Sequence, residues 1–412
     1  MATWPKVKLA DSVNLLAGFP FKSQQFTDKP DDVPLVKGEN VSQGCILWDI
    51  SKRWPASDWE KMEKFHLLPG DVVIAMDRPW IPAGLKWSFI RAGDPKALLV
   101  QRCARLRSSN ERLDQNFLRF VIGGPGFESY VKPITTGVNV PHISGQQILD
   151  FEFTLPPLPV QRRIAGILSA YDELMENSQR RIRLLEAMAR ALYREWFVHF
   201  RYPGHENSSS PSGRGGGEGA ARGRGTQGEG ATRSDIPQGW EVKPLFELTK
   251  VNYGKNLPTK KLADDGAYPV YGAAKIIGRY TEYTREQRTI ICGCRGSVGE
   301  MQITQPQCYV TNNSFAFDPT HPDNFFWLFH TLKERGLRDV VGGAAQPQIT
   351  LEGISSVELV TPPLPLRTRF QQAVSAMFGQ AWTLDSQIQN LRRTRDLLLP
   401  RLLSGQVELR TN

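Results

Sequence analysis

The sequence predicts an α+β fold made twice in tandem, each copy a globular part followed by a long helix. Three observations carry this. From Val160 onward apolar residues recur at helical spacing (Val160, Ile164, Ile167, Tyr171, Leu174, Ile182, Leu185, Met188, Leu192), with no proline before Pro203. A second such run follows the turn at Thr361: Phe370, Val374, Met377, Ala381, Leu384, Ile388, Leu391, Arg395 and Leu398, alternating steps of four and three, which is a coiled-coil seam. Both runs open on Pro-Pro-Leu-Pro, after Leu155 and after Thr361, 206 residues apart. At ~1.5 Å per residue the runs span about 60 and 43 Å, too long for a globular helix standing alone, so each needs a helical neighbour. Arg395 interrupts the apolar line and is expected to snorkel near the end of the contact.

The duplication extends upstream. Gly137–Leu155 aligns without a gap on Gly343–Thr361, pairing Pro141 with Pro347, Ile143 with Ile349 and Ile148 with Ile354. A period of about 200 residues is far beyond that of a solenoid.

In chain order, residues 1–154 form the first globular part. Trp4–Leu9 starts a short strand, and Leu35–Lys37 and Cys45–Trp48 read as short strands. Leu68–Met76 is a turn running into a buried strand, Leu98–Leu106 another strand, and Asn116–Ile122 a helix. Residues 155–202 carry the first long helix. Residues 203–235, rich in Gly, Ser and Arg and almost without large apolar side chains, read as a flexible linker whose Arg-Gly pairs could add weak nucleic-acid affinity. Residues 236–360 form the second globular part: Tyr268–Gly272 parallels Val33–Gly38, Thr289–Gly293 parallels the Val72 strand, and Phe325–His330 parallels the Phe117 helix. Residues 361–412 carry the second long helix and a C-terminal tail.

Composition narrows the chemistry. The net charge of +9 favours a polyanionic partner. Five cysteines make no framework and suggest reduced thiols, hence a cytoplasmic location. No window has transmembrane length, so no membrane partner is expected. Neither a phosphate loop, a Gly-x-Gly-x-x-Gly turn, His-Glu-x-x-His nor an Asn/Asp-Pro-Pro-aromatic methyltransfer motif occurs, and Cys292-Gly-Cys294 lacks a second ligand pair for zinc. No catalytic residue and no metal site is expected; the chain reads as a binding protein.

The candidate contacts lie in loops. Arg295 and Ser297 follow a buried strand of the second part. Asn312 and Asn313 carry amides able to pair bidentately with adenine. Lys255, Lys275 and Arg279 suit phosphates. In the first part Arg78, Trp80 and Lys86 occupy the corresponding strand end, and Asn139 and His142 correspond to Ala345 and Gln348.

Taken together, several motifs resemble the specificity subunit of type I restriction–modification systems: Pro156-Pro157-Leu158-Pro159-Val160-Gln161, Trp196-Phe197-Val198, Ile236-Pro237-Gln238-Gly239-Trp240, Arg295-Gly296-Ser297-Val298-Gly299, Pro362-Pro363-Leu364-Pro365 and Leu399–Gly405. The resemblance covers nearly the whole chain. Arg367 departs from it where the first copy has Gln161, as does the Gly/Arg-rich linker. It implies two target-recognition domains, each reading half of a split double-stranded DNA sequence, held apart by the two helices in an antiparallel coiled coil with a pseudo-two-fold tandem relation. The residues expected to pair the helices are Ile164, Ile167, Tyr171, Leu174, Leu185, Met188, Val374, Met377, Leu384, Ile388 and Leu391. It further implies no cofactor in this chain. Two methyltransferase subunits would use S-adenosylmethionine, and restriction subunits would use ATP and Mg. Helices longer than a DNA turn of about 34 Å predict half-sites roughly a turn apart. The rival readings are a coiled-coil scaffold with two protein-binding modules, and a general RNA binder acting through the linker.

Overall fold

In the computed structural model, described for residues 4–135, 141–204, 236–263, 265–343 and 346–407, the chain divides into two compact units. One holds residues 1–178 and 386–412, the other residues 179–385, so each long helix is shared between them.

The duplication is written in the strand order. The first unit has an antiparallel sheet ordered Val13–Ala17, Cys103–Ser108, Val72–Ala75, Trp87–Phe89. The second has the same sheet from Thr249–Tyr253, Ser314–Pro319, Ile290–Gly293, Met301–Ile303. A parallel pair also repeats: Ala97–Leu99 lies beside Val33–Val36, and Tyr309–Val310 beside Tyr268–Gly272. Each globular part is closed by pairing its opening strand with the strand just before the long helix, Lys6–Lys8 with Glu152–Thr154 and Glu241–Pro244 with Glu358–Thr361. The central strands, Val72–Ala75 and Ile290–Gly293, are buried along their whole length, as their unbroken apolar runs demand.

Two glycines mark the same point in both copies. A Cβ on Gly18 would lie 2.2 Å from the Val100 carbonyl oxygen, and one on Gly254 would lie 2.3 Å from the Thr311 oxygen. Only glycine lets these backbones approach.

Two strand readings are corrected. Leu98–Leu106 is two strands, Ala97–Leu99 and Cys103–Ser108, because the chain turns at Arg102, whose φ is 67°. Cys45–Trp48 is not a strand: Ile46 makes an isolated bridge with Val41, and a 3-10 turn follows at Trp48–Ile50. The expected helices are present at Gln115–Ile122, where the Asp114 carboxylate accepts from the Phe117 N–H at 3.0 Å, and at Phe325–Arg335.

The long helices are Leu158–Tyr193, continued by a π-turn at Arg194–Val198, and Leu364–Leu403. In the first unit, Ile164 and Leu168 share a core with Leu399 and Leu402. In the second, Tyr193 and Phe197 share one with Phe370 and Val374. The start of one helix meets the end of the other in each unit, so the helices are antiparallel. The second helix runs beyond Leu398 and through Pro400, because buried Leu399 and Leu402 anchor its last turn.

Of the expected pairing residues, Ile164, Val374, Leu384 and Ile388 are buried, and Ile167, Tyr171, Leu185, Met377 and Leu391 are half-buried. Leu174 and Met188 are corrections: 55% and 46% exposed, they lie off the seam, which passes through Leu168, Met175, Ile182 and Ala189 instead. Following large apolar residues misled the reading there, since the buried line uses small or polar positions such as Ala189 and Gln161. Arg395 is also corrected. It does not snorkel outward but donates to Asp172 of the first helix at 2.7 Å.

Gln161 and Arg367 do equivalent work despite their chemistry. Buried Gln161 accepts from the Asp114 N–H and donates to the Arg112 and Pro156 carbonyls, all at 2.8 Å, fixing the long helix to the cap of the Gln115 helix. Arg367 donates to the side chain of Asn324, the cap of the Phe325 helix. The linker assigned to residues 203–235 falls, from residue 205 on, outside the described residues.

Candidate nucleic-acid interface

The repeated topology gives each unit one set of strand-end loops at the same place. The Ile143 N–H donates to the Met76 carbonyl, and the Ile349 N–H to the Cys294 carbonyl. The Met76 N–H donates to the Arg102 carbonyl, and the Cys294 N–H to that of Asn313. These bonds make Asp77 the counterpart of Arg295, His142 that of Gln348, and Gln101-Arg102 that of Asn312-Asn313.

In the first unit Asp77 and His142 form a close pair, Oδ1 to Nδ1 2.5 Å, and Arg102 reaches the other Asp77 oxygen at 3.1 Å. Asp77 also borders a cleft of about 670 Å³. Arg78 and Lys86, both expected as contacts, line it, together with Lys37, Glu39, Gln101 and Arg102. Burial lowers the pKa of Lys86, opposed by the nearby Cys103 and the Glu39 carboxylate and assisted by Arg78. Arg78 sits on the loop after the strand with φ 45°, an uncommon backbone for arginine. Trp80 falls outside the cleft lining. Its ring packs against the core and its N–H donates to the Thr135 hydroxyl at 3.2 Å, so it serves the domain's structure. Asn139 lies outside the described residues.

In the second unit Arg295 is exposed and donates to the Gln348 side chain at 3.3 Å. Gly296 takes φ 77° beside it, and Ser297 is half-buried in the same loop. The side-chain amides of half-buried Asn312 and exposed Asn313 make no hydrogen bond to any described residue. Lys255 and Lys275 are exposed. Arg279 is committed elsewhere, donating to the carbonyls of Gly266 at 2.5 Å and Ala267 at 2.6 Å, which holds the turn before the Tyr268 strand.

Sequence reasoning missed Lys37, Asp77, Gln101 and Arg102. The signal for the last two was available: Asn312-Asn313 precedes the Ser314 strand as Gln101-Arg102 precedes the Cys103 strand. Reading Leu98–Leu106 as one strand hid the turn.

Among the described residues, no three His, Cys, Asp or Glu side chains are grouped to hold a metal ion. Cys292 and Cys294 are buried, and desolvation pushes the first thiol up to about 12 and raises the second. No helix of the described residues is long and apolar enough to cross a membrane.

The family described as the type I restriction modification DNA specificity domain matches residues 1–187 and again 237–380. The chain belongs to this family. The two matched segments carry the two copies of the strand order above, so the family's specificity domain occurs here twice. Among relatives, the MjaIX specificity subunit of Methanocaldococcus jannaschii is 22% identical over 71% of this chain and 69% of its own length. The HindI specificity subunit of Haemophilus influenzae is 24% identical over 99% of this chain and all of the relative. The crystal structure of the S subunit of a type I restriction–modification system from M. genitalium aligns with a TM-score of 0.58 at 16% identity, over 99% of this chain and 97% of that one, which establishes the shared fold.

Proposed function

We propose that this chain is the non-catalytic specificity subunit that directs a type I complex to a bipartite, asymmetric DNA sequence, each globular part reading one half-site. The observation that carries the reading is the pair of equivalent strand ends with unlike side chains: Asp77, His142, Gln101 and Arg102 in one unit, Arg295, Gln348, Asn312 and Asn313 in the other. Equal folds supply equal placement on the duplex, and unlike hydrogen-bonding groups select unlike bases. Arg102 and Arg295 suit the O6/N7 edge of guanine, and the two asparagines suit the N6/N7 edge of adenine. Lys255 and Lys275 would set register through phosphates.

In this reading two methyltransferase subunits bind through the repeated parts of the chain and bring S-adenosylmethionine for adenine methylation. Restriction subunits bring ATP and Mg. The length of the two helices sets the gap between half-sites.

The test is modified-base sequencing of host DNA with this chain and its methyltransferase subunit expressed together, and with the methyltransferase alone. Adenine methylation at one split, non-palindromic motif, present only with this chain, is the expected result. A stable complex that leaves DNA unmethylated, repeated with an active related methyltransferase subunit, would favour the scaffold reading instead. Deleting residues 203–235 should cost little DNA affinity, where an RNA binder working through that segment would lose it all.

A further inference from the structure

We infer that the cleft beside the Val72 strand is a phosphate-binding site, built into the first recognition domain and missing from the second. It rests on the DNA-binding reading only for the source of the phosphate. Six charged residues line the cleft: Lys37, Arg78, Lys86 and Arg102 against Glu39 and Asp77, four cations against two carboxylates. Both carboxylates are already engaged. Glu39 pairs with Lys37 at 3.0 Å, and Asp77 with Arg102 at 3.1 Å and with His142. Two cations remain. The guanidinium of exposed Arg78 and the ammonium of Lys86 make no hydrogen bond or ion pair to any described residue.

Lys86 is the decisive one. Only 9% of it is exposed, yet it lines the cleft. Its place is fixed by the backbone, since Lys86 donates its N–H to the Pro79 carbonyl and accepts from the Ala75 N–H. Its ammonium is partly desolvated at the cleft wall with no ion-pair contact of its own, only the field of Glu39, and an arriving anion offsets that desolvation. Lysine meets phosphate as a point charge, and arginine beside it supplies directed donors.

The second domain lacks these groups at the equivalent positions. The Gly293 N–H donates to the Glu300 carbonyl as the Ala75 N–H does to that of Lys86, so a glutamate replaces the buried lysine. The Thr311 N–H donates to the Tyr271 carbonyl as the Val100 N–H does to that of Val36, so Gly272 replaces Lys37. Asn313 replaces Arg102. These cations are thus confined to one copy, and the two half-sites should contribute unequally to the salt dependence of binding.

The full chain is compared with K86Q, R78Q, the double variant K86Q/R78Q and the second-domain control E300Q. Duplex affinity is measured between 50 and 200 mM salt on the methylated sequence and on an unrelated one, and inorganic phosphate is titrated against thermal unfolding without DNA. With one backbone phosphate in the cleft, the double variant lowers the log–log salt slope by about one and weakens both duplexes by a similar factor, while E300Q does not lower the slope. Stabilisation by inorganic phosphate in the wild type, absent in the double variant, assigns the site to free phosphate as well. Wild-type slopes together with a silent phosphate titration overturn the inference, and so does a loss confined to one duplex sequence, which makes the cleft a base reader. If the wild type binds no duplex, the functional reading fails and the phosphate titration alone decides the cleft. Should K86Q not fold, R78Q carries the test, since exposed Arg78 contributes nothing to the core.

Discussion

The two units share a strand order but grip their portions of the long helices by different physics. In the first, the contact is ionic at its centre. Arg119, stacked on the Phe89 and Phe120 rings at 4.2 and 4.5 Å, donates to the Ser169 hydroxyl and lies 3.5 Å from Asp172, which Arg395 also holds. In the second, the same kind of place is aromatic. Tyr193, Phe197 and Phe370 pack edge to face or tilted, Tyr193 stacks on His330 at 5.5 Å, and its hydroxyl donates to Thr331 at 3.1 Å. The difference teaches that the fold demands a filled seam, not a particular chemistry. Charges fill it only where each has a partner.

The comparison can be broken most forcefully at Phe370, which is fully buried. Phe370→Ala should cost about 3–5 kcal/mol by leaving a cavity among rings, read as a lowered midpoint in denaturant. The local signal should be the intrinsic fluorescence of Trp196 and Trp240. A loss below about 1 kcal/mol would mean the aromatic seam relaxes freely and is not the strut described.

Acid should separate the units next. Burial drives His330 down to about 3, with the Lys333 and Arg190 charges adding to the effect. Its folded pKa therefore lies below the ordinary value of 6.5, and the unfolded chain binds the extra proton between the two. Stability is fully present above about pH 6.5 and falls as pH drops towards 3, by up to about 1.4 kcal/mol per pH unit. No histidine of the first unit is buried among the described residues. Melts followed from pH 7 to 4 should show the decline, and His330→Phe should flatten it; an unchanged slope in that variant would place the acid sensitivity elsewhere.

Asp172→Asn sharpens the ionic half of the contrast. It removes the common partner of Arg119 and Arg395 and should cost about 1–3 kcal/mol, since Arg119 keeps the Ser169 hydroxyl and Arg395 keeps the Asp396 carboxylate at 2.7 Å. Restoring stability by adding Arg395→Met to it would show that the charge, not the shape, was at fault.

The smallest effect bears on reading rather than folding. Exchanging Asn312-Asn313 for Gln-Arg, the pair in the first unit, should alter base preference in one half-site only, by about 1–3 kcal/mol for each bidentate contact. The resulting methylated motif would report it directly, and a change in both half-sites would contradict one domain per half-site.

Much of this molecule was legible in the order of its residues. Whereas the antiparallel pairing of the helices was only implied by the family resemblance, the twofold repeat, the two long helices that need a helical neighbour and the strand-end location of the candidate contacts all follow from period, proline placement and the parallel between copies. These are local signals, set by backbone geometry and by which residues must leave water. The helix seam was less legible because burial there is decided by the neighbour. Ala189 is buried and Leu174 is not, although hydrophobicity alone ranks them the other way. The pairing of Asp172 with Arg395, 223 positions apart, had no local trace. Nor did the partnership of Asp77 with His142 and Arg102, or the burial of Lys86 at the edge of a charged cleft. Sequence fixes which groups exist and how often the chain repeats. Only folding brings charges from distant strands within a few ångströms, and at that range the presence or absence of a partner decides what each can bind.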